Sequence, residues 1–283
     1  MEIIDAQIHE PEPVAAWEFG EEAHLALSVE LAREAMDCVG VDVALINSTD
    51  EFCDAAMARY PGRFAACGRI DPKRPDLDDA VAHYRERPGY LAVRTGIRNW
   101  KDGTVAREFL DGSLEPLFSS AEKHGLPVFL SAQAVAEHVE PIAKAHPDLL
   151  IILDHLGLAQ QPMRVGPDPW AQLPIVNDLA RFPNVAVKFS GAPTLSREPY
   201  PHRDLWPHLL KMVEAYSPDR LAWGSDFTRL RMPTGSLERA PRDQWSGLYS
   251  DAVGFLRDTD ELSQADKEKI FGASLRRLLR WPR

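Results

Sequence analysis

Short apolar runs alternate along this chain with longer segments of helical period, and each run stops at a turn former or a polar residue. The clearest is 149–153, five apolar residues followed at once by Asp154, His155 and Gly157. It is far too short for a membrane span and lacks the alternation of a half-exposed strand, so it predicts a strand buried on both faces. Seven further strands are predicted at 1–9, 41–47, 64–70, 90–94, 126–131, 184–191 and 220–226. Between them, Leu25, Val29, Ala32, Ala35, Met36 and Val39 keep a helical spacing that Gly40 closes. Helices are also predicted over 54–60, 75–87, 105–124, 134–146, 170–182 and 203–216. In the tail, Ser263 and Asp266 form a capping pair, and Ile270, Phe271, Leu275, Leu278 and Leu279 share one apolar helical face.

Eight strands alternating with helices is the order of an α/β protein built as a parallel (β/α)8 TIM barrel, here one domain over 1–283. Loop lengths give the same answer. Helix-to-strand connections are short and rich in turn formers, as at Pro61-Gly62, Gly125 and Pro147-Asp148. Strand-to-helix connections at 156–169, 191–202 and 227–241 are long and without hydrophobic period, which is how loops that carry function read. The elaborated end is therefore the carboxyl end of the strands. In the first strand Asp5, Gln7 and His9 fall at every second position, so they are expected on one face.

Charge and cysteine usage narrow the function classes. The formal net charge of −11 argues against nucleic acid or any other polyanion as partner, since such binding needs a lysine and arginine surface. A small anionic substrate held by a few focused arginines stays compatible with it. Cys38, Cys53 and Cys67 have no C-x-x-C spacing and suggest neither a disulfide framework nor a thiolate zinc site. The first residues lack the basic and apolar regions of a signal peptide, and no run approaches a membrane span. A soluble cytoplasmic protein with no membrane partner is expected, with homo-oligomerisation left open.

The predicted strand ends gather Gln7 and His9, Arg94, Ser131, His155, Lys188 with Ser190, and Asp226. Two imidazoles and a carboxylate from three strands can hold a divalent ion, polarise a carbonyl or activate water. Arg94 offers a rigid fork for a substrate carboxylate. The five histidines His24, His83, His124, His138 and His146 fall in or at the ends of predicted helices and read as surface or capping residues. Arg164, Trp170, Arg229 and Arg231 lie on long loops as candidate substrate contacts, and His202 and His208 follow a strand-end loop, YPHRDLWPH, from which His202 could reach the site.

These residues carry a resemblance. DAQIH in the first strand, AVR in the fourth, ILDHLG, VKFSG, WGSDFTR and the closing KIFGASLRRLL resemble the amidohydrolase-related family of lactonases and decarboxylases, from first strand to last helix and in the family's motif order. The branch that looks most similar holds sugar lactonases and 2-pyrone-4,6-dicarboxylate lactonase. The resemblance implies that His9, His155 and Asp226 match the family's site. It also marks two departures: Gln7 replaces the first histidine of an H-x-H pair, and Ser131 stands where fuller metal sites place a histidine. An amide is a poorer zinc ligand than imidazole, so a tight binuclear centre is not expected, and two states stay open: a single zinc or manganese on His9, His155 and Asp226, or no metal.

The expected activity is hydrolysis of a lactone or related cyclic ester of a carboxylated small molecule, whose carboxylate Arg94 would bind. His9 and His155, with the Gln7 NH2, would polarise the carbonyl, and Asp226 would activate water. Lys188, Ser131, Arg164 and His202 join Arg94 as expected substrate contacts. Two alternatives remain: a metal-dependent non-oxidative decarboxylase of an aromatic or unsaturated acid, and a barrel that binds a ligand without turning it over.

Overall fold

The computed structural model describes residues 1–11, 20–99, 102–160, 168–227 and 248–282. The strands are β1 (Ile4–Ile8), β2 (Val43–Ile46), β3 (Phe64–Gly68), β4 (Tyr90–Gly96), β5 (Val128–Ser131), β6 (Ile151–Leu153), β7 (Val185–Ser190) and β8 (Leu221–Gly224). They run parallel in consecutive order through one sheet. The sheet curls until its ends meet. Asp226 N, just past β8, donates to Gln7 O on β1 at 3.0 Å, and a Cβ on Gly224 would stand 3.2 Å from Gln7 N. This is the (β/α)8 barrel that the sequence pattern predicts.

Alternation along the strands divides the core in two. Residues such as Val128, Leu130, Val187 and Phe189 face outward and pack with the helices in one cluster. Ile4, Ala6, Val43, Leu45, Phe129, Ile152, Ala186 and Ala222 face inward, joined by Leu275 and Leu279 of the tail. These inward residues come from the strands' early positions, so the tail closes the amino end of the barrel. Chemistry is left to the other end.

Several predicted elements need correction. The single helix expected at 105–124 is two, Arg107–Leu110 and Glu115–His124, parted where Gly112 takes φ +78°. A helix at Tyr249–Arg257 was not foreseen, although Tyr249, Ala252, Val253 and Leu256 have the spacing of an apolar helical face and are buried. The expected capping pair is present, with Ser263 Oγ accepting from Asp266 N at 3.2 Å. No described helix is long and apolar enough to cross a membrane.

The expectation that Asp5, Gln7 and His9 share a face fails for a physical reason. The pairing of β1 with β2 shifts register between Asp5 and Ile8. An extra residue in one strand turns the side chains beyond it to the opposite face. Ile4 and Ala6 therefore point inward with the barrel core, whereas Asp5 points outward and Gln7 and His9 point in. Asp5 accepts from Gln7 N at 3.0 Å, Ser225 N at 2.8 Å and Tyr249 OH at 2.8 Å, and also from Ser225 Oγ. Burial pushes its carboxyl up to about 6 even though each of those bonds pulls the other way. One buried side chain thus ties β1 to the turn after β8.

Candidate active site

Four polar groups from three strands meet at the carboxyl end of the barrel. Gln7 Nε2 lies 3.0 Å from Asp226 Oδ1 and 3.3 Å from both His9 Nε2 and His155 Nε2, and His9 Nε2 lies 3.2 Å from Asp226 Oδ1. All four residues are buried. An ionised carboxylate only accepts, so the Gln7 NH2 and the His9 Nε2–H must both donate to Asp226. The second Gln7 hydrogen then falls to the lone pair of His155 Nε2. That places the His155 proton on Nδ1, which faces Ser190 Oγ at 3.1 Å.

The electrostatics agree with this proton accounting. Burial alone would raise Asp226, but the hydrogen bond from His9 and the charges of His155, His9 and Arg94 outweigh it and hold the carboxyl below its ordinary value. Burial takes His155 down to about 4, against the pull of Asp226 and Asp154. At neutral pH the site holds a carboxylate beside a neutral imidazole.

The backbone that aims these groups is unusual. His155, Leu156 and Gly157 adopt φ of 53°, 60° and 67° in succession, and Asp226 adopts 56°. Left-handed backbone at residues with a side chain stores about 1–3 kcal/mol each and persists only where the surroundings dictate it. At Gly157 a Cβ would stand 2.9 Å from Val176 Cγ2, so the turn after β6 is shaped for glycine. Gln160 clamps the same turn, its Nε2 donating to His155 O at 3.1 Å and Ser190 O at 2.9 Å.

Beneath the four groups lies an ion triad. Asp154 receives Arg94 Nε on Oδ2 and Lys188 Nζ on Oδ1, both at 2.6 Å. Although burial opposes it, the two cations hold the Asp154 carboxyl well below the usual carboxylate range. Lys188 also lies over the Phe129 ring, 4.8 Å from its centroid. Lys188, expected as a substrate contact, is thus an inward structural partner with no exposed surface. Arg94 is shared: Nε belongs to Asp154, while the side chain lines a cavity of about 660 Å³. That cavity is bordered by Arg69, Arg98, Arg107 and Ser131 as well. Ser131 keeps its place there, but its hydroxyl donates to Gln133 Oε1 at 2.7 Å.

Other expected contacts fare differently. The His202 ring meets Glu198 O through Nδ1 at 3.0 Å and stands edge-on to Tyr200, away from the four-group centre in every contact described. Trp170 stacks on His208 at 4.2 Å. Arg164, Arg229 and Arg231 lie outside the described residues. His146, expected as a surface or capping residue, is the C-cap of the helix Val139–Ala145 and is buried between Glu122 and Glu115, each 3.0 Å away. Sequence reasoning missed Asn47, Arg69 and Arg98. Asn47 ends 41–47 as His9 ends its strand, and its Nδ2 is buried with no hydrogen-bond partner among the described residues. A polar residue closing an apolar run was the signal for Asn47 and Arg69, whereas Arg98 lies beyond the end of its run.

Comparison with known proteins places this chain among relatives. The chain is 28% identical to the L-fucono-1,5-lactonase of Burkholderia ambifaria over 176 residues, 59% of this chain and 56% of that protein. It is 36% identical to the 4-sulfomuconolactone hydrolase of Rhizobium radiobacter over 77 residues, 27% of this chain and 24% of that protein. The aligned regions thus span about half and a quarter of those relatives. A solved amidohydrolase from Burkholderia multivorans with bound zinc superposes over the full length of both chains, with a TM-score of 0.70 at 20% identity, a likeness of fold.

That zinc poses a test for the residues here, and they do not fit it. Gln7 presents hydrogens to the centre where an ion requires lone pairs, and Ser131 supplies no imidazole. Among the described residues no three His, Cys, Asp or Glu side chains converge closely enough to hold an ion. The wider match is at the level of the whole barrel. The family model described as Amidohydrolase matches residues 8–281, from β1 to the last turn of the tail, and the chain belongs to the amidohydrolase family.

Proposed function

We propose that this amidohydrolase opens a lactone or related cyclic ester bearing a negative group, with Asp226 as general base. The observation that carries the reading is an ionised, buried carboxylate held by two N–H donors at the barrel end that also bears an arginine-lined cleft. The lactone activities of the two partial relatives agree with it.

Asp226 takes a proton from water while the water oxygen attacks the ester carbonyl carbon. The carboxylate loses its charge as the carbonyl oxygen gains one. The Gln7 and His9 N–H groups that held the first then turn to the second, so the oxyanion is met by donors already at the centre. His155 steadies the Gln7 amide by accepting from it, a different role from the polarising donor expected of it. Collapse of the tetrahedral intermediate breaks the ring C–O bond, and Asp226 returns its proton to the leaving oxygen. The product is a hydroxy acid.

Arg94 and the neighbouring arginines bind the negative group. Replacing Arg94 by Gln removes a charge-assisted contact of about 1.5–3 kcal/mol, so KM is expected to rise roughly 10- to 100-fold, more than kcat falls through the lost support of the Asp226 charge. Steady-state kinetics on a carboxylated lactone check this, and a loss confined to kcat would remove Arg94 from binding.

Acid should stop the reaction at a low pH. Asp226 and His155 both have values displaced downward, so their working forms persist above those values and are lost as pH falls through them. The kcat/KM profile is expected to be level from about pH 5 to about pH 8 and to fall near or below about pH 4. An acid limb near pH 7 would contradict the assignment, since it would point to an ordinary histidine as the base, whereas a step near pH 6 is where the Asp5 carboxyl that anchors the Asp226 turn gains its proton.

A further inference from the structure

We propose that the Gln7 side-chain amide takes the place of a metal ion in this centre and keeps Zn²⁺ and Mn²⁺ out of it. Three groups able to ligate, His9 Nε2, His155 Nε2 and Asp226 Oδ1, lie 3.0–3.3 Å from one nitrogen. That nitrogen carries hydrogens and the positive end of the amide dipole, so it serves the Asp226 oxygen and the His155 Nε2 lone pair as a cation would, while His9 Nε2 gives its own hydrogen to Asp226. It has no lone pair to share with an ion.

The orientation of the amide is set by its surroundings. With Oε1 turned inward, oxygen would face the Asp226 oxygen at hydrogen-bond distance, a repulsive pairing. In the orientation found, Oε1 is buried with no hydrogen-bond partner among the described residues. The centre therefore gives up a bond at the carbonyl to keep the NH2 on Asp226. To admit an ion the amide must rotate, release Asp226 and at least one imidazole, and bring a weak neutral oxygen to a borderline-soft metal.

Spacing works in the same direction. Zinc holds its nitrogen and oxygen ligands at about 2.0–2.2 Å. His9 and Asp226 are close enough for that, at 3.2 Å from each other, but no ring nitrogen of His155 comes nearer to the Asp226 carboxylate than the 4.0 Å of Nδ1, which faces Ser190. Gln7 bridges that gap with its two hydrogens. A ligand with a lone pair at position 7 would bridge it with a metal instead, which makes this residue the switch between the two kinds of centre.

The inference concerns what the centre holds, and it stands whether or not the substrate is a lactone. The test exposes the full-length protein, Gln7→His and Gln7→Glu to Zn²⁺, dialyses each against metal-free buffer and measures zinc by mass spectrometry. Circular dichroism checks that each variant is folded. Co²⁺ in place of Zn²⁺ reports coordination through its d–d absorption. The unaltered protein is expected to retain less than about a tenth of an equivalent and show no tetrahedral cobalt band, while at least one folded variant retains about one equivalent. In that variant, adding Asp226→Ala abolishes retention. About one zinc per unaltered chain, lost on Asp226→Ala, would overturn the proposal. So would two folded variants that exclude zinc as the unaltered protein does, because Gln7 would then not be what keeps the ion out.

Discussion

Asp226→Asn is expected to slow lactone opening by at least about 100-fold, the usual consequence of losing a general base. The substitution keeps the shape of the side chain and leaves an amide oxygen where Oδ1 accepts from Gln7 Nε2 and His9 Nε2. What it removes is the charge and the ability to take a proton. The lowered value of the buried carboxyl means that its charge favours the folded state, so some stability goes with it, while the loss of rate should fall on kcat with KM nearly constant. Single-turnover and steady-state rates on the same substrate separate these effects. A variant that retains more than about a tenth of the rate would take Asp226 out of the base role.

The largest effect on stability is expected at Asp154. Its side chain is fully buried between Arg94 and Lys188, themselves buried, and each cation comes within 2.6 Å of it. Asp154→Ala leaves two positive charges facing each other in the barrel with no counter-ion. Breaking a buried pair by removing one partner costs about 3–5 kcal/mol. In a protein of this size that lowers Tm by roughly 6–20 °C. Asp154→Asn keeps the volume and one acceptor but turns an NH2 toward the other cation, so its loss should be smaller than that of Asp154→Ala. Thermal unfolding followed by circular dichroism decides it; a decrease below about 3 °C for Asp154→Ala would mean that the triad is hydrated or rearranges freely.

What the sequence made legible, and what it hid, follows from the range over which each interaction acts. The strands were legible because a parallel barrel buries both faces of its sheet, so 149–153 or 126–131 appears as an unbroken apolar run. Their carboxyl ends were legible because each run halts on a polar residue. That rule gave Gln7, His9, Arg94, His155 and Asp226, and applied evenly it would also have given Asn47 and Arg69.

The bulge in β1 was hidden, since Asp5, Gln7 and His9 alternate as a regular strand does and only the pairing with β2 reveals the shift. The role of Lys188 was hidden for a similar reason. Nothing near it in the chain announces Asp154, which comes from another strand and takes it out of the substrate's reach. Positive φ at His155 and Asp226 carries no sequence signal, because neither residue is the glycine that would mark it. Gln7 was legible as a departure from a histidine pair. Its meaning depended on where its NH2 points, and that is a property of three partners on two other turns and its own strand.

The most direct test of the account is an acid-release assay of the unaltered protein on a panel of lactones, in which each carboxylated ring is matched with its uncharged analogue. The account predicts ring opening of carboxylated members with kcat/KM at least about 10-fold above their neutral partners, as one charge-assisted arginine contact requires. A folded protein that opens no lactone in the panel, or that opens neutral rings as well as charged ones, would contradict it.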